Sequence, residues 1–144
     1  MRIKYVLASA ALSGAALVAL SPGIAQADVP SSRCQVNHPA TQAFCFHYNS
    51  NQSGAIAGWD TSYFEGFQRL DDAGVFIQGT GAGETRPVKN NAASATFQKP
   101  NNCYGRVEVY FNSNWSGAYD TIWACTGANL VKTKNNNASF RRFN

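Results

Sequence analysis

Four cysteines, two histidines and eight carboxylates are the side chains of this sequence with most chemistry to offer. Their spacing restricts what that chemistry is. His38 and His47 stand alone, and a zinc site takes three or four protein ligands, so the histidines make no metal centre unless cysteines join them. Asp71 and Asp72 are adjacent and point to opposite sides of an extended chain, and neither Glu65 nor Glu84 is spaced to complete an acid/base pair with them. No Gly-x-Ser-x-Gly elbow occurs. Gly79-Thr80-Gly81-Ala82-Gly83 lacks the Lys-Ser/Thr that follows a phosphate loop, and it reads as a flexible connection. The sequence therefore points to a protein that is not an enzyme.

The cysteines have a better use. Residues 1–27 read as a signal peptide: Arg2 and Lys4, an apolar stretch over residues 6–20 and the small-residue site Ala25-Gln26-Ala27 follow one another in the order that export requires. The mature chain then runs over residues 28–144, with 10 Lys and Arg against 8 Asp and Glu. It is long enough for one domain with one core. The apolar run is short for a membrane span. No cluster of Lys and Arg interleaved with aromatics marks a nucleic-acid surface, Arg141-Arg142 being the nearest. The expected product is a secreted, extracellular monomer with no membrane or nucleic-acid partner. In that compartment Cys34, Cys45, Cys103 and Cys125 become disulfides. Three connectivities exist. Cys103 and Cys125 lie equally far from Asn114, eleven residues on either side, so a hairpin folded there brings them opposite each other. Cys34 and Cys45 flank a turn at His38-Pro39-Ala40. The spacing thus favours Cys34 with Cys45 and Cys103 with Cys125.

Asn114 belongs to one of two near-identical turns. Residues 49–55 read NSNQSGA and residues 112–118 read NSNWSGA, 63 positions apart, with alternating strand-like residues on both sides. Lys89-Asn90-Asn91-Ala92-Ala93-Ser94 returns as Lys134-Asn135-Asn136-Asn137-Ala138-Ser139, now 45 positions apart, each copy leading into a Phe-containing strand. The change of spacing means an 18-residue insertion in the first copy, within residues 61–87. Apart from a brief helical hint at residues 63–70 the pattern is all-β: two repeats, at about residues 43–98 and 105–144, of four strands each.

Tyr110, Trp115, Gly117, Ala118-Tyr119 and Ser139 together resemble the βγ-crystallin Greek key. In that motif a glycine at positive φ folds the hairpin sharply, aromatics pack beneath it and a serine hydroxyl ties its free backbone groups. The first copy keeps Gly54 and Ser94 but has His47, Gln52 and Ile56 at the aromatic positions, which implies a looser hairpin. The resemblance implies a sandwich of two Greek-key motifs. It also makes Asn90, Asn91 and Ser94, and Asn135, Asn136 and Ser139, a version of the crystallin calcium signature. Both copies lack its last serine, with Ala95 and Phe140 there, and neutral asparagines hold calcium weakly. Backbone satisfaction in turns is the alternative use of these residues. No other cofactor is expected.

A secreted chain of this kind, with an N-terminal cysteine pair, resembles the Streptomyces metalloproteinase inhibitor type of secreted peptidase inhibitor. That resemblance implies a protein that occupies the active-site cleft of an extracellular protease, a metalloprotease above all. The insertion supplies a candidate inhibitory loop, in which Val75, Phe76 and Ile77 would fill a subsite and a Gly-rich stretch carrying Glu84 and Arg86 would turn the chain back. An ordinary core strand beginning at Gly74 is the competing reading of the apolar triplet. A structural or weakly calcium-binding crystallin domain, or a killer-toxin-like secreted protein, are the alternatives for the whole.

Overall fold

The computed structural model describes residue 34, residues 42–77 and residues 80–144. The signal peptide expected over residues 1–27 and the turn expected at His38-Pro39-Ala40 lie outside the described residues. The fold is all-β. Strand β1 (Ala43–Asn49) turns through one copy of the repeated motif into β2 (Ser53–Asp60), and β5 (Arg106–Asn112) turns through the other into β6 (Ser116–Trp123). Each hairpin is followed by a short strand, β3 (Gly66–Phe67) or β7 (Thr126–Asn129), and then by β4 (Ser94–Gln98) or β8 (Ser139–Phe143). The helix expected from the spacing of residues 63–70 does not form: residues 63–69 are a loop that contains β3. Only a single 3-10 turn follows, at Leu70–Ala73. Tyr63 is fully exposed, so the apolar spacing there serves no helix face.

The eight strands make two four-stranded antiparallel sheets, ordered β2-β1-β4-β7 and β3-β8-β5-β6. Each sheet takes three strands from one repeat and its fourth from the other. β7 pairs with β4 through Ala95 and Ala128, and β3 pairs with β8 through Phe67 and Phe140. Neither repeat can close its own sheet, so the two copies fold as one unit with a shared core.

The period of two along each strand sends one face of each sheet inward. Phe44 and Phe46 of β1, Phe97 of β4, Val107 and Val109 of β5 and Phe140 of β8 are all fully buried between the sheets. Phe140 is the hub. Its ring centroid lies 4.6 Å from that of Phe44, 5.6 Å from Trp59 and 5.7 Å from Phe67. A buried phenylalanine contributes about 1.5–3 kcal/mol by leaving water, and edge-to-face contacts add to that.

Both disulfides have the pairing read from the spacing, Cys34–Cys45 and Cys103–Cys125. The second closes the open end of the β5–β6 hairpin, as the symmetric distances from Asn114 require. The first holds residue 34 against the outer face of the first sheet, where the Thr96 hydroxyl donates to the Cys34 carbonyl at 3.1 Å.

The 18 extra residues of the first repeat fall between β2 and β4, and they cover an edge. The Ala55 amide donates to the Ala82 carbonyl at 2.8 Å and the Ile77 amide donates to the Ile56 carbonyl at 2.8 Å, so the segment lies along the outer side of β2. Val75 bridges Pro87. An edge strand with free backbone groups invites unwanted pairing, and this segment occupies those groups.

Candidate functional site

The repeated turns have one conformation. Asn51 and Gln52 have φ of 59° and 53°, Asn114 and Trp115 have φ of 59° and 55°, and Gly54 and Gly117 follow at 78° and 84°. Two left-handed residues before a glycine leave backbone groups unpaired inside the turn, and the serines take them up. Ser94 Oγ accepts from the Gln52 amide at 3.0 Å and donates to the Asn49 carbonyl at 2.7 Å. Ser139 repeats this with the Trp115 amide at 3.1 Å and the Asn112 carbonyl at 2.6 Å.

The first turn lacks aromatic support, yet it has the same backbone as the second. Its Asn51 makes a reciprocal pair with Asn129 of β7, at 2.6 Å through the Asn51 amide and at 2.9 Å between the side chains. In the second turn the Asn114 amide donates to the Gln68 carbonyl at 2.7 Å, and the Trp115 indole donates to the carbonyls of Phe67 and Phe140. Each hairpin is thus docked on or beside the third strand of the other repeat.

The asparagine stretches meet at the junction of the repeats. The Asn90 amide donates to the Asn137 carbonyl at 2.9 Å, and the equivalent Asn135 amide donates to the Ala92 carbonyl at 2.8 Å. Asn137 is fully buried, and its side chain accepts from the Ala92 amide and donates to the Val88 carbonyl. Its role was not legible from its place in the sequence, where it sits in a variable position of the calcium signature. Beside this junction lies an open polar cleft of about 340 Å³, lined among others by Tyr48, Asn90, Asn91, Lys134 and Asn135. It gathers three of the calcium candidates. The donor set does not fit that ion. Ser94 and Ser139 are committed to the hairpins, and the Asn91 and Asn136 side-chain amides donate to the carbonyls of Lys89 and Lys134. The lining offers no carboxylate and adds the Lys134 ammonium, against the preference of a hard dication for anionic oxygen. Among the described residues no three His, Cys, Asp or Glu side chains are grouped to hold a metal.

Asp71 pairs with Lys89 at 2.9 Å and Arg69 at 3.3 Å, and the Lys89 hydrogen bond leads in holding its carboxyl below the usual value. His47 is buried, with Nε2 3.2 Å from the Thr96 hydroxyl and no partner at Nδ1, and burial lowers its pKa to about 4. It is a neutral imidazole buried on the outer face of the first sheet, beside Thr96.

The insertion divides into an anchor and a tip. Phe76 is fully buried, its ring 5.7 Å from that of Tyr48, and Val88 is buried at the other end. Phe76 therefore cannot fill a protease subsite, and half-buried Val75 and Ile77 are held with it: the apolar triplet belongs to the scaffold. It is not an ordinary strand either, since Val75 makes a single bridge. Glu84 and Arg86 are exposed, in a tip over residues 81–87 that hydrogen bonds hold shut. The Phe76 amide donates to the Arg86 carbonyl and the Thr85 amide to the Phe76 carbonyl, both at 2.9 Å, with Thr85 at φ 63°. The tip abuts the first repeated turn, where a Cβ on Gly54 would lie 3.0 Å from the Ala82 oxygen.

One surface escaped the sequence reading. On β5, β6 and β8 the positions facing away from the core carry Arg106, Tyr119, Trp123, Arg141 and Phe143, brought alongside one another by the register. The signal in the sequence is thin, because Arg106, the pair Tyr119 and Trp123, and the pair Arg141 and Phe143 stand on three different strands.

No family model matches this chain, and no curated protein is significantly similar to it. A solved structure described under the evolution of the eye lens βγ-crystallin domain fold is similar over 74% of this chain and 90% of its own, with a TM-score of 0.50 and 8% sequence identity. At that identity the likeness concerns the fold, and the strand exchange above agrees with it: the chain has a βγ-crystallin-like fold.

Proposed function

We propose that the protein is a secreted peptidase inhibitor that obstructs a protease cleft with the exposed tip of its inserted segment, residues 81–87. The observation that carries this reading is the latching of the segment: a buried anchor at Phe76 and Val88, backbone bonds to Ala55 and Ile56, and a closed, exposed tip between them. A loop ordered before docking loses little entropy on binding. The tip also resists cleavage by its geometry. A protease binds its substrate extended, and extending this turn would break the two bonds between Phe76 and residues 85 and 86 and move Thr85 out of its left-handed conformation.

The tip and the adjoining turn at residues 50–54 form a continuous surface, and a protease–inhibitor contact covers about 800 Å² on each partner. The resemblance of the sequence to secreted metalloprotease inhibitors makes a metalloprotease the first target to try, and two disulfides suit an extracellular protein.

The test replaces residues 81–87 by a Gly-Ser linker while keeping Phe76 and Val88. Inhibition of a panel of thermolysin-like and subtilisin-like proteases is then compared with that of the intact chain. The reading expects inhibition by the intact protein and its loss in a variant whose circular dichroism is unchanged. Full inhibition by the variant refutes the loop, and none by the intact protein refutes the function.

A further inference from the structure

The two asparagine loops are built alike but carry their charge differently. Asn90 and Asn135 have φ of 61° and 54°. In each loop the next asparagine folds back on the lysine that opens it, Asn91 Nδ2 donating to the Lys89 carbonyl at 2.9 Å and Asn136 Nδ2 to the Lys134 carbonyl at 3.2 Å. Lys89 and Lys134 are therefore equivalent residues, one from each repeat.

The segment docked beside each loop is equivalent too. The Leu70 amide donates to the Ala138 carbonyl at 2.8 Å, and the Leu130 amide donates to the Ala93 carbonyl at 3.0 Å. Ala138 and Ala93 hold one position of the repeat, directly before Ser139 and Ser94. The residue after each leucine differs. After Leu70 comes Asp71, whose carboxylate lies 2.9 Å from Lys89 Nζ. After Leu130 comes Val131, 81% exposed and without a charge to offer. Lys134 accordingly makes no ion pair among the described residues.

Lys134 lines the polar cleft of about 340 Å³ at the junction of the repeats, a size within the range of small-molecule sites. The cleft's other polar groups are uncommitted. The Asn90 and Asn135 side chains and the Tyr48 hydroxyl make no hydrogen bond among the described residues, and no carboxylate is in the lining. A carboxamide can turn its oxygen or its nitrogen to a ligand, so the ammonium decides the sign: a cation is repelled and an anion attracted. A neutral sugar would need a ring to stack on, and the Tyr48 ring is occupied. Gly83 lies so close against it that a Cβ there would fall 2.0 Å from the Tyr48 Cγ, and the Phe76 ring meets it at a right angle 5.7 Å away.

We infer that the cleft binds a small carboxylic acid, whose carboxylate pairs with the Lys134 ammonium and accepts from the Asn90 and Asn135 carboxamides and the Tyr48 hydroxyl. Asp71 on Lys89 is the chain's own instance of the group that this lysine position takes, and Val131 leaves the second instance to a ligand. Hydrogen bonds in which both partners are charged are the stronger kind, and the neutral donors fix the orientation of the acid. Lys134, Asn90, Asn135 and Tyr48 all lie outside the inserted segment, so binding here is independent of the inhibitor reading.

The test follows the side-chain amide resonances of Asn90 and Asn135 by NMR in the oxidised mature chain, while succinate is added at a fixed ionic strength of about 0.1 M. Saturable shifts are expected, half complete at about 1–10 mM succinate, with none from calcium and smaller ones from inorganic phosphate. Lys134→Gln should weaken binding about tenfold. Lys99→Gln, an equal loss of charge roughly 17 Å beyond Ser94 along the extended chain, should leave it unaltered. Val131→Asp gives Lys134 the partner that Lys89 already has, so it should compete with succinate from within and weaken binding about tenfold or more, with unchanged circular dichroism. The proposal is overturned by absence of saturation up to about 50 mM succinate, by calcium moving the same resonances, by tighter binding of phosphate, or by a folded Val131→Asp variant that binds succinate as the parent does.

Discussion

The hydroxyl of Ser139 stands 3.1 Å from the backbone amide of Trp115, and Ser94 holds the same relation to Gln52 at 3.0 Å. Two serines distant in sequence from their turns thus do one job twice. Both are fully buried, so removing either hydroxyl strands an amide and a carbonyl. Ser139→Ala and Ser94→Ala are each expected to cost about 1–3 kcal/mol, read from urea unfolding midpoints. A pair of variants as stable as the parent would show that water replaces the hydroxyl at no cost.

The glycines that follow these turns should differ in their tolerance. Both have positive φ, so alanine at either loses roughly 1 kcal/mol or more. A Cβ at Gly117 meets the end of the Asn112 side chain at 2.7 Å, which can swing away. At Gly54 it meets the Ala82 backbone oxygen at 3.0 Å as well as Asn49. Gly54→Ala should therefore lower the melting temperature more than Gly117→Ala, and the reverse order would contradict the latching of the inserted segment on β2.

Acid should weaken the fold through His47. The folded chain keeps its imidazole neutral down to about pH 4, while the unfolded chain protonates it near 6.5. The unfolded state binds more protons between those values, so stability is complete above pH 6.5, falls as pH drops towards 4 and declines no further below it. The loss from this group is on the order of 3 kcal/mol. His47→Gln removes the titration, so the difference in unfolding free energy between pH 7 and pH 4 should shrink in that variant. An unchanged difference would place the acid sensitivity elsewhere.

The disulfides should be unequal towards reductant. Cys34 and Cys45 are 3% and 0% exposed, whereas Cys103 lies at the surface. Thiol–disulfide exchange requires access to a sulfur. Alkylation mapping after brief reduction should label Cys103 and Cys125 first, and each bridge lost should cost about 3 kcal/mol of stability. First labelling of Cys45 would show that the bridge holding Cys34 opens before the hairpin clamp.

The sequence by itself determined the local units. A turn written twice as Asn-Ser-Asn-x-Ser-Gly-Ala needs left-handed residues and a glycine wherever it is placed, a serine 42 positions after Gln52 or 24 after Trp115 matches the orphan groups it leaves, and Cys103 and Cys125 must meet if the hairpin at Asn114 closes. These are short-range requirements of backbone sterics and chain connectivity, so they are legible without a partner. The exchange of β3 and β7 between sheets was not legible in residues 66–67 and 126–129, because a strand of two to four residues carries too few side chains to specify its neighbour. Phe76 reads equally as an anchor for a partner or for its own core, and the packing against Tyr48 and the cover it gives to β2 decided that. Asn137 became the tie between repeats, and Arg106, Trp123, Arg141 and Phe143 became one surface, for the same reason: cross-strand register joins residues far apart in sequence, and register is set by burying the opposite faces of those strands around Phe140.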